Sequence, residues 1–133
     1  MKEIIKFLKE NPHGFLATVD EGKPRVRPFG FMFEEDGKLF FCTNSNKDVY
    51  KQLNTSPYIE YSVTSKDMVT IRISSTVKFC DEFDKKEKVL NASALVKRLY
   101  KSAENPILKV FYLEHGTATF SDFSGNPPRK IDF

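Results

Sequence analysis

The chain has no tryptophan, and among its 133 residues only two cysteines, two histidines and six glycines. Cys42 and Cys80 lack the short spacing of a thiolate metal site and are too few for a disulfide framework. They fit a reduced cytoplasmic protein with two half-buried thiols. His13 and His115 each stand beside a glycine in an expected turn, so neither a metal pair nor a histidine-based triad is indicated locally. The glycine-rich phosphate loops are missing as well: there is no GxGxxG, no GxxxxGK followed by Ser or Thr, and no GxSxG. Dinucleotide-fold, P-loop and serine-hydrolase readings lose their required loops. No long apolar run is present either, since MKEIIKFLKEN alternates charge with apolar residues. A secretory signal or a membrane span is therefore not expected.

What is present suits one domain over residues 1–133, a size that buries roughly two-thirds of the surface of its unfolded chain. Thirteen phenylalanines supply an apolar core, with aromatic surface left over for a partner subunit or a planar ligand. The 21 basic residues are mostly interleaved with the 18 acidic ones, as in KEIIKFLKE and DKKEK. Nucleic-acid binding needs a stripe of one sign and is not favoured.

Residues 3–10 read as a short amphipathic helix stopped by Asn11-Pro12. Strands are expected over 15–20, 23–33 and 38–43, joined by turns at Glu21-Gly22 and Asp36-Gly37. Asn44, Ser45 and Asn46 offer caps for a helix over 47–53, ended before Pro57. Further strands are expected over 58–63 and 68–79, then a helix over 84–100 with Asp84 as its cap. A second hairpin over 108–113 and 117–123 turns at Glu114-His115-Gly116. Strands joined mostly by short turns imply a mainly β, antiparallel barrel with flanking helices; a βαβ fold would need helices between most strand pairs.

Two stretches carry the functional signal. In KPRVRPFGF, residues 23–31, the strand period places Arg25 and Arg27 on one face and Val26 and Pro28 on the other. Pro24 and Pro28 cannot donate to a ladder, so this strand belongs at an edge or a mouth, where free backbone groups can meet a planar heterocycle. Prolines and charges that protect an edge from aggregation explain the same pattern. In FFCTNSNKDVYKQL, residues 40–53, a strand end at Thr43 leads through Asn44 and Ser45 into a helix. Backbone N–H groups at a helix start attract anions. Lys47 at that start faces the positive end of the helix dipole, a small penalty that a bound phosphate would reverse, and Lys51 follows one turn later. A capped helix with solvated lysines is the alternative.

FLATVDEGKPRVRPFGF, the acidic-glycine turn, KLFFCTNSNKDVYKQL and SPYIEYS, in that order, resemble the pyridoxamine 5'-phosphate oxidase-like split-barrel flavoproteins. The resemblance is to their small nitroimidazole-resistance-type branch and spans nearly the whole chain. It implies a six-stranded antiparallel split barrel that forms a homodimer with one FMN in each of two interface clefts. On this resemblance the backbone of Arg25, Val26, Arg27 and Pro28 lies along the isoalloxazine ring. Thr43 and Asn44 approach the ribityl phosphate, Lys47 neutralises it, and Arg25, Arg27 or Lys51 shares the charge; Ser45 is a further donor at the helix start. Arg72 in TIRIS matches the arginine of the family's long fifth strand, although Val69 stands where a tryptophan is frequent and Ser75 where a glycine is. Phe15, Phe29, Phe31 and Tyr58 are candidates for an apolar wall over the ring, with core packing as their alternative. The C-terminal GNPPRKIDF lacks the paired arginines and histidine that grip pyridoxal phosphate in the oxidase, so that activity is not expected. The implied function is electron transfer from NADH or NADPH through FMN to a small acceptor, a nitroaromatic being one candidate. A non-catalytic flavin, haem or deazaflavin carrier or sensor of the same fold is the alternative, and a structural dimer with an empty cleft a third. No catalytic side chain is identified.

Overall fold

A computed structural model describes all residues, 1–133. In chain order it contains α1 (Lys2–Glu10), β1 (His13–Asp20), β2 (Lys23–Gly30), β3 (Phe33–Glu35), β4 (Lys38–Asn44), α2 (Asp48–Thr55), β5 (Tyr58–Thr64), β6 (Thr70–Cys80), α3 (Phe83–Ala92), α4 (Ala94–Tyr100), β7 (Leu108–Ser121) and β8 (Arg129–Asp132). Every strand pairing is antiparallel, in the order β2-β1-β5-β6-β7-β4-β3, with β8 added to β7. The protein is mainly β with flanking helices, as expected. The sheet is not closed, and β2 and β3 are its ends.

The seven strands read along the sequence, six in the barrel that the resemblance implies, become eight because one divides, two merge and β8 is added. The strand read over 23–33 ends at Gly30, because Phe31 turns its N–H to the Pro12 carbonyl, and a short β3 follows. The hairpin expected at Glu114-His115-Gly116 does not form; those residues lie inside the 14-residue β7. One edge of β7 pairs first with β4 and then with β8, while β6 runs along the other edge. Gly116 fits a close approach here, not a turn: a Cβ at this position would lie 2.5 Å from the Ser74 carbonyl oxygen. A register shift between Ser75 and Val77 occurs beside it.

The helix read over 84–100 is two helices. Ser93 leaves the helical conformation at φ −143° and its Oγ accepts from the Val96 N–H, so a capping serine starts α4. Glu82, not Asp84, precedes α3 as its cap residue. Apolar side chains form two cores, one on each face of the curved sheet. Leu16, Phe41, Tyr61, Ile71, Ile73 and Phe111 pack inside together with Ile4 and Leu8 of α1. Phe40, Leu108 and Val110 pack on the other face with Val89, Leu90, Val96 and Tyr100 of α3 and α4.

Candidate functional site

Strand β2 pairs only with β1, which is the edge position its prolines require. Arg25 and Arg27 stand opposite Thr18 and Leu16, two buried residues, so both arginines share the inward face. Val26 and Pro28 stand opposite Ala17 and Phe15 on the outward face. Between the β1–β2 hairpin and α2 lies a cleft of about 1070 Å³, just above the usual range for small-molecule sites. Its walls bring together Arg25, Val26, Arg27 and Pro28 from β2 with Lys47 and Lys51 at the start of α2. The two stretches singled out in the sequence therefore meet in one cavity.

Helix α2 turns Asp48, Lys51, Gln52 and Thr55 to the cleft, at i, i+3, i+4 and i+7. The same periodicity buries Val49 and Leu53 against the barrel. No side chain caps α2, and its N-cap residue is Lys47 itself; Asn44 Oδ1 accepts instead from the Asn46 N–H. The first-turn N–H groups of α2 are thus left without a side-chain acceptor.

The four cationic groups of the cleft differ in their partners. Arg25 lies 3.4 Å from Asp20 in a half-exposed ion pair. Arg27 donates to the Leu16 carbonyl at 3.2 Å, to Thr18 Oγ1 at 2.8 Å and to Gln52 Oε1 at 2.6 Å. Thr18 Oγ1 also donates to Gln52 Oε1 at 2.6 Å. Desolvation lowers the pKa of Arg27, with Asp48 opposing. Lys47 and Lys51 have no carboxylate within salt-bridge distance, although Asp20, Glu21 and Asp48 line the same cleft.

Other residues named from the sequence lie outside the cleft walls. Thr43 is buried, and its Oγ1 has no hydrogen-bond partner. Asn44 points to the opposite face of the sheet, where its Nδ2 donates to the Tyr100 hydroxyl. The Ser45 N–H is held by the Ile107 carbonyl. Arg72 pairs weakly with Glu60 at 4.0 Å, on the sheet face away from the core. Phe31 is core, and Phe29 packs against Phe41 and Phe111. Phe15 and Tyr58, 56% and 65% exposed, face outward from neighbouring strands beside Val19 and Val26.

Sequence reasoning missed Gln52 and Thr18. Thr18 was signalled by a polar residue falling in phase with buried Leu16, and Gln52 by its place one turn after Asp48. Cys42 and Cys80 each stand opposite Val110, on the two edges of β7. That separates them by two strand spacings, about 10 Å, beyond disulfide reach. Both are free, and burial pushes the Cys42 thiol up to about 12. No group of three or more His, Cys, Asp or Glu side chains is placed to hold a metal ion. No helix is long and apolar enough to cross a membrane.

The family model described as pyridoxamine 5'-phosphate oxidase matches residues 1–121. A search of curated proteins gives no match. Among solved structures, a NimC/NimA family protein from Clostridium acetobutylicum is 35% identical, with a TM-score of 0.91 over 100% of this chain and 92% of its own. A pyridoxamine 5'-phosphate oxidase-related, FMN-binding protein from Nostoc punctiforme is 16% identical, with a TM-score of 0.73 over 97% of this chain and 87% of its own. A haem-binding protein from Mycobacterium smegmatis is 13% identical, with a TM-score of 0.77 over 93% of this chain and 54% of its own. The two more distant likenesses are of fold alone.

Proposed function

The chain belongs to the pyridoxamine 5'-phosphate oxidase family, and on that premise we propose that it binds FMN in the cleft between β2 and α2 and serves as a flavin-dependent oxidoreductase. The observation that carries the reading is the meeting of a proline-marked sheet edge with an uncapped, lysine-bearing helix start in one cavity. The residues present fit the cofactor. Lys47, Lys51 and Arg25 supply cations, and the first-turn N–H groups of α2 supply donors for a phosphate. The backbone of Arg25 to Pro28 offers a shelf for a planar ring.

Bound FMN would supply hydride and single-electron chemistry; the chain's own residues would orient it, balance its phosphate charge and limit water. No side chain of the cleft stands out as an acid or base in the transfer. The electron donor in this reading is NADH or NADPH, and the acceptor is small and possesses a reducible group such as a nitroaromatic. The outward patch of Phe15, Val19, Val26 and Tyr58 adjoins the cleft at Val19 and Val26, which supports a homodimer that covers the site.

Haem is less well served. The cleft walls contain no His, Cys, Met or Tyr, the side chains that ligate haem iron. The test is the visible spectrum of the purified protein with mass spectrometry of the ligand released on denaturation, followed by anaerobic mixing with NADH and NADPH. A flavin spectrum that bleaches within seconds supports the oxidoreductase. A bound but unreduced flavin moves the protein to a carrier or sensor, and failure to take up FMN removes the reading.

A further inference from the structure

Gln52 is held in one amide orientation, and that orientation leaves its donor end unused. A guanidinium has only donors, so the Gln52 atom 2.6 Å from Arg27 Nη2 must be the carbonyl oxygen. The Thr18 hydroxyl donates to the same oxygen at 2.6 Å. An amide flip would place an NH2 group against Arg27, with an N–H facing N–H contact in a partly buried spot. The flip is therefore closed, and Nε2 is fixed on the side away from the Arg27–Thr18 pair. Gln52 lines the cleft, its side chain hydrogen-bonds only through Oε1, and Nε2 is not a fully buried atom left without a partner.

We propose that Gln52 Nε2 is a ligand-recognising donor, aimed at an acceptor oxygen or ring nitrogen on the ring or ribityl part of the cleft's occupant, with Arg27 and Thr18 as its positioning residues. Position along α2 separates this donor from the phosphate end. Gln52 lies five residues after Lys47, about 7.5 Å along the axis, against the β1–β2 wall where the ring shelf begins. The network also gives Arg27 a defined task. It is tied to three protein acceptors and orders the cleft wall, while Lys47, Lys51 and Arg25 serve the anion. This inference rests on the FMN reading and adds to it the residue that reads the uncharged part of the flavin.

The experiment titrates FMN and riboflavin into the wild-type protein and into Gln52→Glu. A glutamate keeps, and strengthens, the acceptor role toward Arg27 and Thr18 but presents a lone pair to the cleft where the amide presented N–H. The expected result is a Kd raised about tenfold for both ligands, with no loss of thermal stability. Riboflavin carries no phosphate, so its weakening cannot arise from charge repulsion of the phosphate. Should Gln52→Glu fail to fold, Gln52→Met, neutral and of similar length, carries the same expectation of weaker riboflavin binding. Thr18→Val is expected to weaken riboflavin by a smaller factor and Thr18→Ser to restore it, a rescue that simple filling of the core would not require. Riboflavin bound by Gln52→Glu within about twofold of wild type overturns the inference, as does a loss confined to FMN. Wild-type protein that takes up neither flavin overturns the FMN reading itself, and this inference with it.

Discussion

Arg27 donates to Gln52 Oε1 at 2.6 Å and thereby ties the edge strand β2 to helix α2 across the floor of the cleft. An arginine that the sequence offers to a phosphate is thus engaged by the protein. In the proposed site the charge of a bound phosphate would fall to cations that are free or only loosely paired. Lys47, at the uncapped start of α2, is the best placed of these. Lys47→Ala is expected to raise the Kd of FMN about tenfold or more, the cost of one charge-assisted hydrogen bond, and to change riboflavin less than about twofold. Fluorescence titration with the two flavins measures both. Equal weakening of both would place the phosphate elsewhere.

The outward apolar patch bears on assembly. Val26 is 69% exposed and projects from β2 beside Phe15 on β1. In the proposed dimer this surface is covered. Val26→Lys places a charge in it and is expected to shift the protein to a monomer in size-exclusion chromatography with light scattering. FMN affinity should fall with it, because in the proposed dimer the partner would cover the site. A wild-type monomer that binds FMN would contradict the dimer.

Gly116 tests the strand that replaced an expected turn. A side chain there would lie 2.5 Å from the Ser74 oxygen and 3.0 Å from the Phe133 ring. Gly116→Ala forces backbone to move and is expected to destabilise by about 2 kcal/mol or more, read in urea unfolding. In a solvated turn the same substitution would change stability little.

The ion-pair group at the β3 hairpin governs part of the acid sensitivity. Glu35 accepts from both Lys85 and Lys88 of α3, and these partners hold its carboxyl below the ordinary carboxylate range. A carboxylate with a lowered folded-state pKa stabilises above its unfolded pKa, near 4.3, and that contribution is lost as pH falls through the folded value. Glu35→Gln is therefore expected to have a lower Tm than wild type at pH 7, with the two melting curves converging as the pH falls through the lowered folded-state value. A difference in Tm that does not depend on pH would mean that the pair is not electrostatic in effect.

The sequence made the site more legible than the folding details. Pro24 and Pro28 mark β2 as an edge through a missing donor, which is a local and absolute constraint. Lys47 is conspicuous because a cation at a helix start opposes the dipole. Both features survive folding and meet in one cleft. Thr43, Asn44 and Ser45 were placed only approximately, because the face to which a strand-end residue turns depends on register. Asn44 goes to the Tyr100 side for that reason. The Gln52 network was not legible, since it joins residues 34 and 25 positions apart and no local pattern reports such a contact. The break at Ser93 and the absent turn at Gly116 have different causes: a local serine cap starts α4, whereas the close approach of Ser74 keeps Gly116 inside a strand.

The central claim is that this cleft holds FMN, with its phosphate at the start of α2. Its most direct measurement is a titration of the purified, flavin-stripped protein with FMN, followed by quenching of flavin fluorescence. The account predicts saturable binding at about one FMN per chain, with a Kd at micromolar levels or below. No saturable quenching by FMN at those concentrations, from a protein shown to be folded by its cooperative thermal transition, would contradict it.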